Sequence, residues 1–201
     1  MYLAYAPIEN IPTSLQVSLA TELCISAISS EEVFNFGEVV SASVLKSLVG
    51  TPSQWLYNLV FALNEGNMPK FNEIVSTNQK EFTAEPKLGA NHAAIKQKVI
   101  LLSIMNLVFG RSSHDRNISF QDISSTVGIP LKEVEWALMK ALSLKLIKGT
   151  IDEVGQTVQV TWVQPRVLNR EHISMLSQQL GVWAEKVKTT LTTVEDHATE
   201  L

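Results

Sequence analysis

The chain has 201 residues, 45% of them hydrophobic and 18% charged, with a formal net charge of −4. That balance excludes an intrinsically disordered chain, and the absence of a basic excess argues against a nucleic-acid binder. One cysteine, Cys24, excludes an intrachain disulfide and suits a reducing compartment.

The opening stretch, "MYLAYAPIENIP", has no basic region, and Pro7 and Pro12 interrupt its apolar pattern. It does not make a secretory signal. It reads as the tail of an earlier element, so the chain is expected to be part of a longer protein. Leu15, Leu19, Leu23 and Ala27 then recur four apart, beside a second stripe of Ala20, Cys24 and Ile28. This pattern predicts an amphipathic to largely buried helix, with Cys24 as a small core residue. "EVFNFGEVV" reads as a turn anchoring Phe34 and Phe36, followed by a short helix from Glu38 to Leu48. "TPSQWLYNLVFAL" predicts a helix with Thr51 as cap, Pro52 in the first turn and Gln54 closing a capping box. Trp55, Leu59, Ala62 and Leu63 are its inward residues. Gly66 ends it in a left-handed conformation, and Asn67 caps the next helix, which carries Phe71, Ile74 and Val75. Helical hairpins in series make an α-solenoid. After "TAEPKLGAN", read as a polar linker, comes a long helix from Asn91 to Phe109. Its apolar run "VILLSIMNLVF" is short for a membrane span and contains Ser103 and Asn106, which predicts a buried core helix.

The second half uses shorter elements. "GRSSHDRN" is a polar loop, and Ile118 to Phe120 a brief strand. Ser119 caps a helix through Ile123 and Val127, which Gly128 stops. The next helix has a core face of Leu131, Val134, Leu138, Ala141 and Leu142. Ile147, Gly149 and Ile151 then alternate with Lys148 and Thr150, and Val158, Val160 and Trp162 with Gln159 and Thr161. Period two on both arms predicts a β-hairpin, with Gly155 at positive φ in the turn and Pro165 ending the second arm. Two short helices and a hairpin make a winged helix-turn-helix. DNA binding is disfavoured. Glu133 and Glu135 occupy the first turn of the second helix, where a groove reader presents donors, and the wing adds Asp152 and Glu153.

From Asn169 onward the chain predicts one long helix. Ile173, Leu176, Leu180, Trp183, Val187, Leu191 and Val194 form a near-heptad seam on it. The seam is longer than a winged helix can cover, so it is expected to pack with helices of other chains.

No constellation carries chemistry. His92, His114, His172 and His197 lack zinc-helix spacing, and "SSHDR" places Ser113, His114 and Asp115 side by side, where they cannot converge as a triad. Phosphate-binding glycine motifs are absent. Trp136 and Met139 flank a core face and read as packing or interface residues. No catalytic, cofactor-binding or metal-ligating residue is nominated, and no cofactor or small-molecule ligand is expected.

The expected fold is mainly α: α-solenoid-like helical hairpins over 1–110, a winged helix over 111–168, and a long C-terminal helix over 169–201. This layout resembles the PCI domain, a module shared by the proteasome lid, the COP9 signalosome and a translation initiation factor. "VFNFGEVVSASVLKSLVGT", "WLYNLVFALNEGNMPKF", "VEWALMKALSLKLIKGTIDEV" and "VQVTWVQPRVL" are most similar to the PCI-domain lid subunits of the 26S proteasome, across Val33 to Trp183. The resemblance implies a non-catalytic scaffold that supports lid assembly and ubiquitin-dependent degradation in cytoplasm and nucleus. Its partners would be other PCI subunits of the lid and their C-terminal helices, with no nucleic acid or membrane. The wing adds a physical expectation. An apolar, weakly charged strand at an open edge invites a neighbouring strand, so Ile151, Val158, Val160 and Trp162 are expected at an interface where another subunit completes the sheet.

Overall fold

The computed structural model describes residues 12–111, 116–164 and 170–198. The opening stretch before Pro12, most of the "SSHDR" loop and Pro165 lie outside them. The chain divides into two compact units, residues 1–166 and 167–201. The helical hairpins and the winged helix, expected as two parts of one module that meet near residue 110, fall within the first of these units.

Helix α1 (Thr13–Ser29) buries Ala20, Cys24 and Ile28 completely or nearly so, whereas Leu15 is 48% exposed. The small-residue stripe is thus the deeper one, because small side chains let neighbouring elements approach. The segment expected as one helix from Glu38 is two elements. They are α2 (Phe36–Ser41) and a 3-10 helix (Ser43–Leu48), broken at extended Ala42.

Helix α3 (Gln54–Glu65) starts without the expected capping box. The Thr51 hydroxyl donates back to Leu48 O at 2.7 Å, and Gln54 Oε1 accepts from Gly50 N at 3.2 Å. Both side chains serve the end of the 3-10 helix, which runs directly into the turn. At the other end Gly66 is left-handed (φ 62°), with Gly66 N on Leu63 O and Asn67 N on Ala62 O. Asn67 Oδ1 then accepts from Lys70 N at 3.1 Å and caps α4 (Met68–Thr77), as its position predicts. A Cβ on Gly66 would lie 2.7 Å from Ser103 N, so the turn rests directly on the backbone of a later helix. The "TAEPKLGAN" stretch is not a linker. It folds as the end of α5 (Gln79–Ala84) and as α6 (Pro86–Gly89), because Phe82 and Leu88 are apolar anchors that bury almost completely.

Helix α7 (His92–Gly110) is the axis of the unit. By length and composition it could cross a membrane, but here Val99, Leu102 and Ile104 are fully buried in the protein's own core. It contacts α3, α4 and α6 on one side and the winged helix on the other, inside one continuous hydrophobic cluster. Its polar side chains hold two helix ends. Lys98 Nζ donates to Ala27 O (3.1 Å), Ile28 O (3.4 Å) and Ser30 O at the C-terminus of α1. Asn106 Nδ2 donates to Glu65 O (2.6 Å) at the C-terminus of α3. Terminal carbonyls left over by helix geometry thus find donors on a neighbour.

The winged helix is β1 (Asn117–Ser119), α8 (Phe120–Val127), α9 (Leu131–Ser143), β2 (Ile147–Asp152) and β3 (Thr157–Val163). Ser119 Oγ caps α8 by accepting from Asp122 N, and left-handed Gly128 ends it, both as expected. In α9, Val134, Ala137, Leu138 and Ala141 are buried, while Leu131 and Leu142 are half-buried. The sheet is antiparallel in the order β1-β3-β2. At the hairpin tip Asp152 Oδ1 accepts from Gly155 N, and the left-handed residue is Gln156 (φ 47°) rather than Gly155. The turn closes with Gln156 N on Glu153 O, so the conformational reversal falls one residue later than expected. The second unit is α10 (Arg170–Ala198).

Candidate functional site

Which arm of the hairpin offers an open edge is left undecided by the alternation, and the strand order places it on β2 among the described residues. Strand β3 lies in the middle, with β1 from the same chain completing one side. Val158 and Val160 are consequently core residues, 0% and 2% exposed, rather than an interface. Val160 N bonds to Arg116 O and Phe120 N to Gln156 O, so the even-numbered groups of β3 over 156–160 serve the β1 side. The odd-numbered groups there serve β2. In an antiparallel ladder this leaves the main-chain groups of Gly149 and Ile151 pointing away from β3. No strand pairs with that edge among the described residues. Of the expected wing residues, only Ile151 lies on it, with its side chain half-buried against the core.

Trp162 is displaced for a separate reason. The register slips between Lys148 and Gly149: Lys148 pairs with Trp162, and Gly149 with Val160. The extra residue, Thr161, donates its hydroxyl to Lys148 O at 3.2 Å. A one-residue slip exchanges the two faces of a strand. Trp162 therefore leaves the face of Val158 and Val160 and lies 37% exposed under the Lys148 ammonium, 4.9 Å from its ring centroid. Gly149 permits the slip, because a Cβ there would overlap Gln159 O.

Helix α10 carries the second surface. Its 29 residues extend about 44 Å. Ile173, Leu180, Trp183, Val187, Leu191 and Val194 are each 47–64% exposed, and Leu176 is half-buried. Val182, also 58% exposed, widens the seam beyond the expected residues. Thr189, Thr190, Thr192 and Thr193 turn their hydroxyls back onto carbonyls four residues earlier. Those polar groups are thereby satisfied within the helix, and the surface is left without demanding donors.

Lys98 is the residue that periodicity passed over. It is 5% exposed, its ammonium spans three carbonyls, and it faces the Phe34 and Phe36 rings at 5.5 and 5.0 Å. Burial lowers its pKa to about 8. Its signal was present: Lys98 lies on the stripe Ile95, Val99, Leu102, where an exposed lysine does not belong. Its donors are committed to carbonyls, which makes it a tether rather than a reactive amine. Among the described residues no group of three His, Cys, Asp or Glu side chains gathers as a metal site would require.

A helical layer joined through one core to a winged helix, with an open wing edge and a long apolar-seamed helix after it, is the architecture of a PCI protein. Residues 75–162 match the PCI domain and residues 1–60 the PSD13 N-terminal repeats. More particularly, it is similar to the 26S proteasome non-ATPase regulatory subunit 13 homolog A of Arabidopsis thaliana, 37% identical over all 201 residues. It is equally similar to the 26S proteasome non-ATPase regulatory subunit 13 of Dictyostelium discoideum, again 37% over the full chain. Against the 26S proteasome regulatory subunit RPN9 of Saccharomyces cerevisiae the identity is 31% over 183 residues, 90% of this chain and 45% of the yeast protein. The chain spans about half the length of these relatives, 52% in the first two.

Proposed function

We propose that this chain is the PCI-bearing part of a non-catalytic subunit of the 26S proteasome regulatory particle. In this reading it acts as a scaffold of the lid in cytoplasm and nucleus, supporting ubiquitin-dependent degradation. The observation that carries it is identity running through 90–100% of the chain, in relatives named as regulatory subunits of that particle. Two surfaces suit the role. The outward groups of Gly149 and Ile151 offer a strand-addition edge to a neighbouring PCI subunit, and the α10 seam offers a helix-bundle face. The acidic first turn of α9 remains a poor partner for phosphate, which leaves protein as the natural ligand of the wing.

The test is purification of the tagged full-length protein with mass-spectrometric identification of what accompanies it. Other regulatory-particle subunits are expected in stoichiometric amounts. Recovery with signalosome or initiation-factor subunits instead would sink the proposal.

A further inference from the structure

The outer side chains of β2 give its open edge a direction. Lys148, Thr150 and Asp152 are the exposed alternate residues of the strand, while its other face turns toward the core. Lys145 precedes them in the chain and Glu153 follows. Basic groups therefore sit at the start of the strand and acidic groups at the hairpin tip. None of the four joins an ion pair among the described residues. The Lys148 ammonium rests over Trp162, and Asp152 accepts from Gly155 N, so both side chains are held close to the sheet. The exposed apolar row on α9, Trp136 and Met139, has Lys132, Glu133, Glu135 and Lys140 around it and favours neither sign.

The main-chain groups of Gly149 and Ile151 point outward, so they form the hydrogen-bonded positions of an antiparallel strand added there. Lys148, Thr150 and Asp152 then occupy the non-hydrogen-bonded positions. Facing residues approach most closely at those positions, with Cα atoms about 4.5 Å apart. Lys148 and Asp152 are four residues apart, about 13 Å along the strand. No single side chain serves both, so an added strand must bring two charges at the same spacing. In antiparallel order the residue facing Asp152 comes first.

We propose that the β2 edge receives an antiparallel strand carrying Lys or Arg opposite Asp152 and Asp or Glu four residues later, opposite Lys148. Between them lie an apolar residue against half-buried Ile151 and a β-branched residue facing Thr150. This rests on the strand-addition reading above and deepens it. It adds the orientation of the incoming strand, its register and the charges that turn away a wrong neighbour. A parallel strand needs the reverse order of charges. A slip by one residue turns both charges to the core face.

Two fluorescent peptides of identical composition provide the probe, one with the core Lys-Val-Thr-Val-Glu and the other with Glu-Val-Thr-Val-Lys. On the full-length protein at low salt the first is expected to bind about fivefold more tightly, and about 1 M salt should erase the difference. Its binding should slow deuterium exchange at the Gly149 and Ile151 amides. In Lys148→Gln combined with Asp152→Asn the two peptides should bind alike. Asn keeps an acceptor for Gly155 N, and circular dichroism should show the variant folded. Equal binding to the native protein, preference for the second peptide, or a preference that survives in the neutral variant would overturn the proposal. So would binding by neither peptide, or exchange slowed only elsewhere. Strand addition in the particle is judged separately, by whether Ile151→Pro still assembles. Equal peptide binding together with failed assembly of Ile151→Pro removes the charge selection and leaves the edge in place.

Discussion

Gly66 and Lys98 show how much single positions on or against α7 decide. At Gly66 the backbone is left-handed and the place of a side chain is already filled by the Ser103 main chain. Gly66→Ala meets both obstacles, and we expect it to lower stability by about 3 kcal/mol in urea unfolding. A change below about 1 kcal/mol would mean that α3 and α7 can separate freely. Burial lowers the Lys98 pKa from 10.5 to about 8 and raises the Cys24 thiol from 9.0 to about 12. Between pH 8 and 10.5 the unfolded chain holds a proton that folded Lys98 has released, so stability rises with pH. Above pH 9 the unfolded chain has lost a thiol proton that folded Cys24 retains, so the two slopes oppose. The urea midpoint should therefore climb from pH 8 to 9 and flatten beyond. In Cys24→Ala the climb should continue toward 10.5, and in Lys98→Met it should vanish.

At the level of elements, the wing was half legible. Period-two alternation identified both arms, because a strand that buries one face must alternate. It misplaced Trp162, because a bulge is one uncounted residue and reverses every side chain after it. The third strand was visible only as a possible short element, since three residues at 117–119 carry little pattern of their own. Alternation alone left the choice of arm open; the third strand puts the hairpin's open edge on β2, and the decisive substitution is Ile151→Pro. The N–H it removes points away from β3, so the wing's own ladder survives, with loss of about 1–2 kcal/mol from reduced packing. The variant should keep its circular dichroism spectrum yet fail to join the regulatory particle in pull-downs. A folded variant that assembles normally would refute strand addition at this edge. Helix α10 was the most legible element, because apolar residues spaced three or four apart over seven positions fall on one face only in a helix. Trp183→Asp places a charge at the centre of its seam. It should leave the first unit's melting unchanged and reduce co-purification with other subunits by about tenfold or more.

For the whole molecule, the division into helical hairpins and winged helix could be read from changing element lengths, but their shared core could not. Periodicity reports which face of an element is apolar and is silent about which neighbour covers it. Here α7 covers both, and the polar residues that fasten the earlier helices to it were hidden in and beside its apolar run: Lys98 on a buried stripe holds α1, and Asn106 in "SIMNLVF" holds α3. The Lys98 tether also orders events in time. Its partner carbonyl on Ala27 lies 71 residues earlier in the chain. A ribosome delivers α1 well before the side chain that closes its C-terminal end, and at ordinary synthesis rates that interval is several seconds. During it the 3-10 helix and α3, which pack on α1, are already made, but the terminal carbonyls of α1 still lack their donor. A nascent chain stalled before Lys98 should therefore stay protease-sensitive at the C-terminal end of α1 and become resistant there once α7 has cleared the exit tunnel.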